Sequence, residues 1–184
     1  MKAGLRRNTD VSVATESAPD GSAAATAESF EELYRRTLPR VYAYVASLLH
    51  DRSAAEEVTA QAFERAYRRR GSYRPARGPV DAWLFGIARN AALDELRRRR
   101  RGARLEADRP AAAVADDQAE GLLRRETVRA ALASLDPRER DLVALKFAGG
   151  LTNAEIAHVL GVSESNAGTK LHRTIEKLRR ACDD

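Results

Sequence analysis

Residues 136–180, DPRERDLVALKFAGGLTNAEIAHVLGVSESNAGTKLHRTIEKLRR, leave few folds open. Thr152-Asn153-Ala154-Glu155 has the form of a capping box, a hydroxyl followed three residues on by a carboxylate, and starts a helix. Gly161-Val162-Ser163 is a tight turn whose serine can cap the next helix. On that second helix Ala167, Leu171, Ile175 and Leu178 share one face at the spacing a core needs. Asn166, Thr169, Lys170, Arg173 and Lys177 share the opposite face, with Ser165 beside them. That face is cationic and carries groups able to bond base edges and phosphates. A short braced helix followed by such a helix is a helix-turn-helix, shaped to enter a major groove.

The charge balance agrees. The 184 residues hold 32 Lys and Arg against 27 Asp and Glu, a formal net charge of +5, which favours a polyanionic partner. Residues 65–104 are heavily arginine-rich. Nucleic acid fits better than membrane, since no apolar run approaches the 18 or so residues of a span. Lys2, Arg6 and Arg7 precede no apolar core, so no secretory signal is expected. One cysteine, Cys182, suits a reducing cytoplasm. There is no Gly-rich phosphate loop and no HExxH pattern, and His50, His158 and His172 are scattered. No catalytic role, metal site or cofactor is expected.

The pattern predicts an all-α chain of two small helical domains on a flexible linker. Residues 1–27 carry almost no large apolar side chains and are expected to be disordered. Residues 28–101 read as a first helical domain, 102–120 as the linker and 121–181 as the helix-turn-helix domain. In the first domain Phe30, Leu33, Tyr34, Leu38, Val41, Tyr44, Val45 and Leu48 step at helical spacing, and Pro39 should bend or interrupt that helix. Ser53-Ala54-Ala55-Glu56 reads as the cap of the next helix. Pro79 opens a third, which buries Trp83, Leu84, Ile87 and Ala91 and runs into Arg97–Arg101. Asp136-Pro137-Arg138-Glu139 combines a cap, a first-turn proline and a capping-box Glu.

Three blocks, in order, resemble the bacterial RNA polymerase sigma factors of the extracytoplasmic-function (ECF) type. FEELYRRTLPRVYAYVASLLHDRSAAEEV is similar to the start of their region 2. AWLFGIARNAALDELRRRRR is similar to its promoter-opening end, and LDPRERDLVALKFAGGLTNAEIAHVLGVSESNAGTKLHRTIEKLR to region 4. The resemblance implies a non-enzymatic initiation factor. Its first domain would bind core RNA polymerase and melt the −10 element, and its second would read the −35 element of promoter DNA. An anti-sigma partner is implied as well.

Residue by residue, the resemblance implies polymerase contacts at Glu56, Glu57, Gln61 and Phe63, although Ala60 and Gln61 thin the acidic character common in the family. Ser165, Asn166, Thr169, Lys170 and Arg173 would read the −35 element. Strand opening needs a pocket for an unstacked base, built from aromatic, amide or guanidinium groups. Tyr73, Arg74 and Asn90, the last residue of the IARN motif, are the candidates, with Arg97 and Arg98 on phosphate. Gly168, inside the recognition helix, either permits close approach or is merely tolerated. The helix-turn-helix also resembles that of stand-alone response-output regulators, but the arginine-terminated helix of the first domain has no use there. An enzyme acting on nucleic acid would lack acid, base and metal ligands.

Overall fold

The computed structural model describes residues 21–105 and 122–183, with side chains described over 30–102 and 126–182. Among these residues the chain is all helical. Helix α1 spans Gly21–Leu49, α2 Arg52–Arg69, α3 Val80–Leu105, α4 Leu122–Ala133, α5 Pro137–Val143, α6 Asn153–Leu160 and α7 Glu164–Asp183; a π-helical turn, Ala144–Ala148, continues α5. Two 3-10 turns, Arg70–Ser72 and Pro75–Arg77, lie between α2 and α3. Helices α1–α3 pack as a three-helix unit and α4–α7 as a second.

Four local features depart from the sequence reading. Helix α1 reaches back to Gly21, into the segment expected to lack structure. Ala23, Ala24, Ala25 and Ala27 are strong helix formers, and extending a nucleated helix is far easier than starting one. Residues 1–20 and 106–120, the rest of the expected tail and linker, lie outside the described residues, as does residue 121. Pro39 does not interrupt α1, which runs through it; fully buried Val41, Tyr44 and Val45 hold the following turns in place. The cap of α2 is Asp51, not Ser53: its carboxylate accepts from the Ala54 amide at 3.0 Å, and Arg99 at 3.0 Å anchors it from behind. Helix α3 continues past residue 101 to Leu105.

The other terminal signals act as read. Asp136 and Glu139 form one capping box and Thr152 and Glu155 another. Gly161 closes α6 with φ +67°, a left-handed conformation that favours glycine. The Ser163 hydroxyl accepts from the Asn166 amide at 3.2 Å.

The two units share a core. Leu84, Phe85, Leu145, Leu151 and Ile156 are almost wholly buried and belong to one continuous apolar cluster. Gly149 is required there: a β-carbon at that position would fall 2.8 Å from Phe85 and from Leu151. Around this apolar centre runs a polar rim. Arg36 grips Asp81 with two hydrogen bonds of 2.6 and 2.8 Å, and Arg40 reaches the same carboxylate at 2.8 Å. Arg40 also donates to the carbonyls of Gly149 (2.8 Å) and Gly150 (3.3 Å) in the second unit. Asp141 of the second unit accepts from the Tyr44 hydroxyl at 2.7 Å and from Arg89 at 2.6 Å.

Candidate nucleic-acid and polymerase surfaces

The recognition helix is α7. Ala167 and Leu171 are buried beneath it and Ile175 and Leu178 half-buried, so the apolar stripe faces as the spacing requires. Thr174 joins that stripe, its hydroxyl returned to the Lys170 carbonyl at 2.9 Å. Ser165, Asn166, Thr169, Lys170 and Arg173 are all exposed on the far side. Their spacing of three and four residues lines them along one side of the helix. Lys177 leaves this set: it is tied to Glu139 at 2.7 Å and braces α7 against α5. Gly168 packs on nothing closely, since a β-carbon there would meet Asn153 at an ordinary 3.5 Å. Close helix packing is therefore not why glycine stands at 168.

The first unit presents a second surface on α3. Asn90, Asp94, Arg97 and Arg101 recur at steps of four, three and four and are all exposed, so Asn90 and Arg97 share a face. Asp94 holds Arg97 at 2.8 Å. Arg98 is exposed but turned about 100° aside from Arg97, paired with Glu95 at 2.6 Å. Arg99 is a structural brace rather than a solvated or phosphate-bound charge, joining Glu95 (2.7 Å) and Asp51 (3.0 Å). Burial alone would raise the Glu95 carboxyl, but hydrogen bonds from Arg99 and Arg98 outweigh it and hold the group below its ordinary range.

Tyr73 is half-buried, its ring 5.4 Å from that of Trp83 and its hydroxyl donating to the Gly78 carbonyl at 3.1 Å. It braces the loop. Arg74 beside it is exposed and donates to the Gly71 and Tyr73 carbonyls. Trp83 lies two helical turns before Asn90, about 10 Å along α3. The loop and the amide are thus neighbours on one side of the unit.

On α2, Glu56 and Glu57 are exposed and Gln61 half-exposed. Gln61 donates to Glu57 at 3.1 Å and Arg52 pairs with Glu56 at 3.0 Å. Phe63 is the exception among the expected contact residues. It is buried, 5% exposed, and packs edge-on against Tyr34 at 4.8 Å, so it supports the α2 surface from within.

The sequence reading missed the polar rim: Arg40, Asp81, Arg89 and Asp141 were not singled out. The available signal was the placement of charge among apolar residues, as in Asp141 directly before Leu142-Val143-Ala144-Leu145. Burial alone would raise Asp81, but its hydrogen bonds from Arg36 and Arg40 prevail and its carboxyl titrates below the ordinary range. Burial pushes the Tyr44 hydroxyl well up, and the charge and hydrogen bond of Asp141 add to this.

Residues 33–102 match the sigma-70 region 2 family and residues 125–178 the sigma-70 region 4 family. The RNA polymerase sigma factor CarQ of Myxococcus xanthus is 35% identical over 156 residues, covering 83% of this chain and 88% of CarQ. The chain belongs to the ECF-type RNA polymerase sigma factors. The ECF sigma factor SigK of Mycobacterium ulcerans (strain Agy99) is 30% identical over 85% of this chain and 87% of its own length. The fold matches that of sigma factor RpoE, solved in complex with the anti-sigma factor NepR from Bartonella quintana. The TM-score there is 0.71 at 21% identity, over 85% of this chain and 98% of RpoE. As a sigma factor the protein serves transcription initiation with RNA polymerase and is not an enzyme. Among the described residues no helix is long and apolar enough to cross a membrane.

Proposed function

We propose that the two units divide promoter recognition between them. The α2 surface of Glu56, Glu57 and Gln61, supported by Phe63, binds core RNA polymerase. Asn90 and Arg97, with Arg74 in the adjoining loop and Arg98 on its flank, engage and open the −10 element. Ser165, Asn166, Thr169, Lys170 and Arg173 read the −35 element.

One observation carries this reading: two exposed polar faces lie on separate units and differ in make-up. The α7 face is a straight row of donors and cations on a capped helix, suited to a duplex groove. The α3 face sets an exposed amide and arginine near an aromatic-bearing loop, suited to a base that has left the stack. The site of action is the cytoplasm. RpoE's complex with NepR supports an anti-sigma partner here too.

Run-off transcription with purified core polymerase tests the proposal. The protein should bind core polymerase without DNA and confer promoter-dependent transcripts. Tight sequence-specific binding of the free protein to duplex DNA, with no core binding, would point to a stand-alone regulator instead.

A further inference from the structure

Helix α3 carries a carboxylate in the middle of the face that Asn90 and Arg97 share. Asn90, Asp94 and Arg97 stand at steps of four and three, which keeps all three within about 60° of one another around the helix. The Asp94 side chain is 61% exposed and holds the Arg97 guanidinium, itself 67% exposed, at 2.8 Å. One carboxylate oxygen and one terminal nitrogen make this contact. The second oxygen and the rest of the guanidinium fork are left to other partners. Gly86, one turn before Asn90, would meet nothing within 4 Å of a β-carbon, so the row begins on bare backbone.

An exposed carboxylate repels phosphate, and Arg97 would hold phosphate better without it. The next pair along the helix is the contrast. Arg98 takes Glu95 at 2.6 Å, but the Glu95 side chain is only 9% exposed, so Arg98 alone meets the outside. Base edges ask for what Asp94 and Arg97 offer together. In the major groove a G·C pair sets the guanine N7 and O6 acceptors beside the cytosine N4 amino donor, whereas an A·T pair sets its donor between two acceptors. A guanidinium takes the two guanine acceptors, and a carboxylate at its side accepts from the cytosine. The position also fits paired DNA. Trp83 and its neighbour Tyr73 lie toward the start of α3, whereas Asp94 and Arg97 lie about 6 and 10 Å beyond Asn90 in the other direction. With about 3.4 Å per base step, they fall one to three steps from the base that Asn90 engages, on the side away from the loop.

We propose, on the two-surface reading above, that Asp94 and Arg97 act as one unit that reads a G·C pair at the duplex edge of the −10 element. Asp94 accepts from the cytosine amino group and holds the Arg97 fork on the guanine of the same pair. Arg97 is then a base reader, and Arg98 beside it the phosphate contact.

The test is run-off transcription by the full chain with core polymerase, from barcoded templates whose −10 element is randomised. At one step the wild type should favour a G·C pair in one orientation, by about 5- to 150-fold over A·T. Asp94→Ala and Arg97→Ala should each flatten the selection at that same step and at no other. Arg98→Ala should lower the output of all sequences alike, with a shallower salt slope. Asp94→Asn should move the preference toward A·T, because an amide pairs with adenine N6 and N7. Loss of stability cannot create a changed preference, so Asp94→Asn decides the matter even if the alanine variants melt early. A wild type without a G·C preference, alanine variants that act on all sequences alike, or an Asp94→Asn variant that keeps the wild-type preference would each overturn the inference. If Asn90→Ala also leaves −10 selection untouched while core polymerase is still bound, the two-surface reading fails. If Asn90→Ala changes a neighbouring step and Asp94→Asn changes none, only the Asp94–Arg97 unit fails.

Discussion

Gly168→Ala is the sharpest test of the recognition unit's geometry. Gly168 lies inside α7, the fifth residue counted from its start at Glu164, where glycine costs about 1 kcal/mol relative to alanine. The added methyl would lie 3.5 Å from the Asn153 side-chain nitrogen, an ordinary contact, with nothing nearer. The backbone is helical there, so alanine is unstrained. Nothing offsets the gain, and the substitution should stabilise the protein by about 0.5–1 kcal/mol. For a cooperative body of this size that is an increase of about 1–4 °C in Tm. Thermal unfolding by circular dichroism at fixed protein concentration measures it. A fall in Tm would mean that α6 and α7 approach more closely than described. A rise in Tm with weakened −35 binding by holoenzyme would show that glycine is kept for the approach of DNA.

Other consequences follow from the same contacts. Thr152→Ala removes the side-chain acceptor of the Glu155 amide and half of the capping box, and should cost about 0.5–2 kcal/mol in chemical denaturation. Tyr44→Phe deprives a buried Asp141 of one of its two donors and should cost about 1–3 kcal/mol; an unchanged midpoint would mean that water already serves the carboxylate. Stability should also depend on acid in one direction. Asp81 and Glu95 have folded-state pKa values lowered by their arginine partners, which outweigh burial. Their contribution is therefore full above the unfolded carboxylate range of about 4 and lost as pH falls through the lower folded values. Tm should be nearly flat from neutral pH to about 5 and fall below about 4, and Asp81→Asn should reduce that fall.

Much of this architecture is legible in sequence because local chemistry decides it. Thr152 with Glu155, Asp136 with Glu139, and Gly161 before Ser163 fix three helix starts and one turn with partners at most three residues apart. The outward face of α7 follows from the buried Ala167 and Leu171. What was not legible depends on residues far apart in the chain. Asp51 rather than Ser53 caps α2, with Arg99 arriving from 48 positions away. Phe63 looks like a surface anchor until Tyr34 is seen to cover it. The arginine run reads as charges that are mostly solvated or on phosphate, yet Glu95 and Asp51 withdraw Arg99 from it. The rim of Arg40, Asp141 and Arg89 joins positions 52 to 109 apart, beyond the reach of periodicity.

The measurement closest to the central claim compares Asn90→Ala with Arg173→Ala on two templates, one duplex and one carrying a pre-melted bubble over the −10 element. Arg173→Ala should cost about 1–3 kcal/mol of holoenzyme binding and relax selection at one −35 position if it reads a base. If it holds only phosphate, binding should weaken on all sequences, with a shallower salt slope. Asn90→Ala should leave closed-complex binding nearly unchanged while permanganate reactivity of the unpaired thymines is lost. The bubble should restore transcription by Asn90→Ala far more than by Arg173→Ala. Equal rescue of both variants, or of neither, would contradict the assignment of strand opening to α3 and duplex reading to α7.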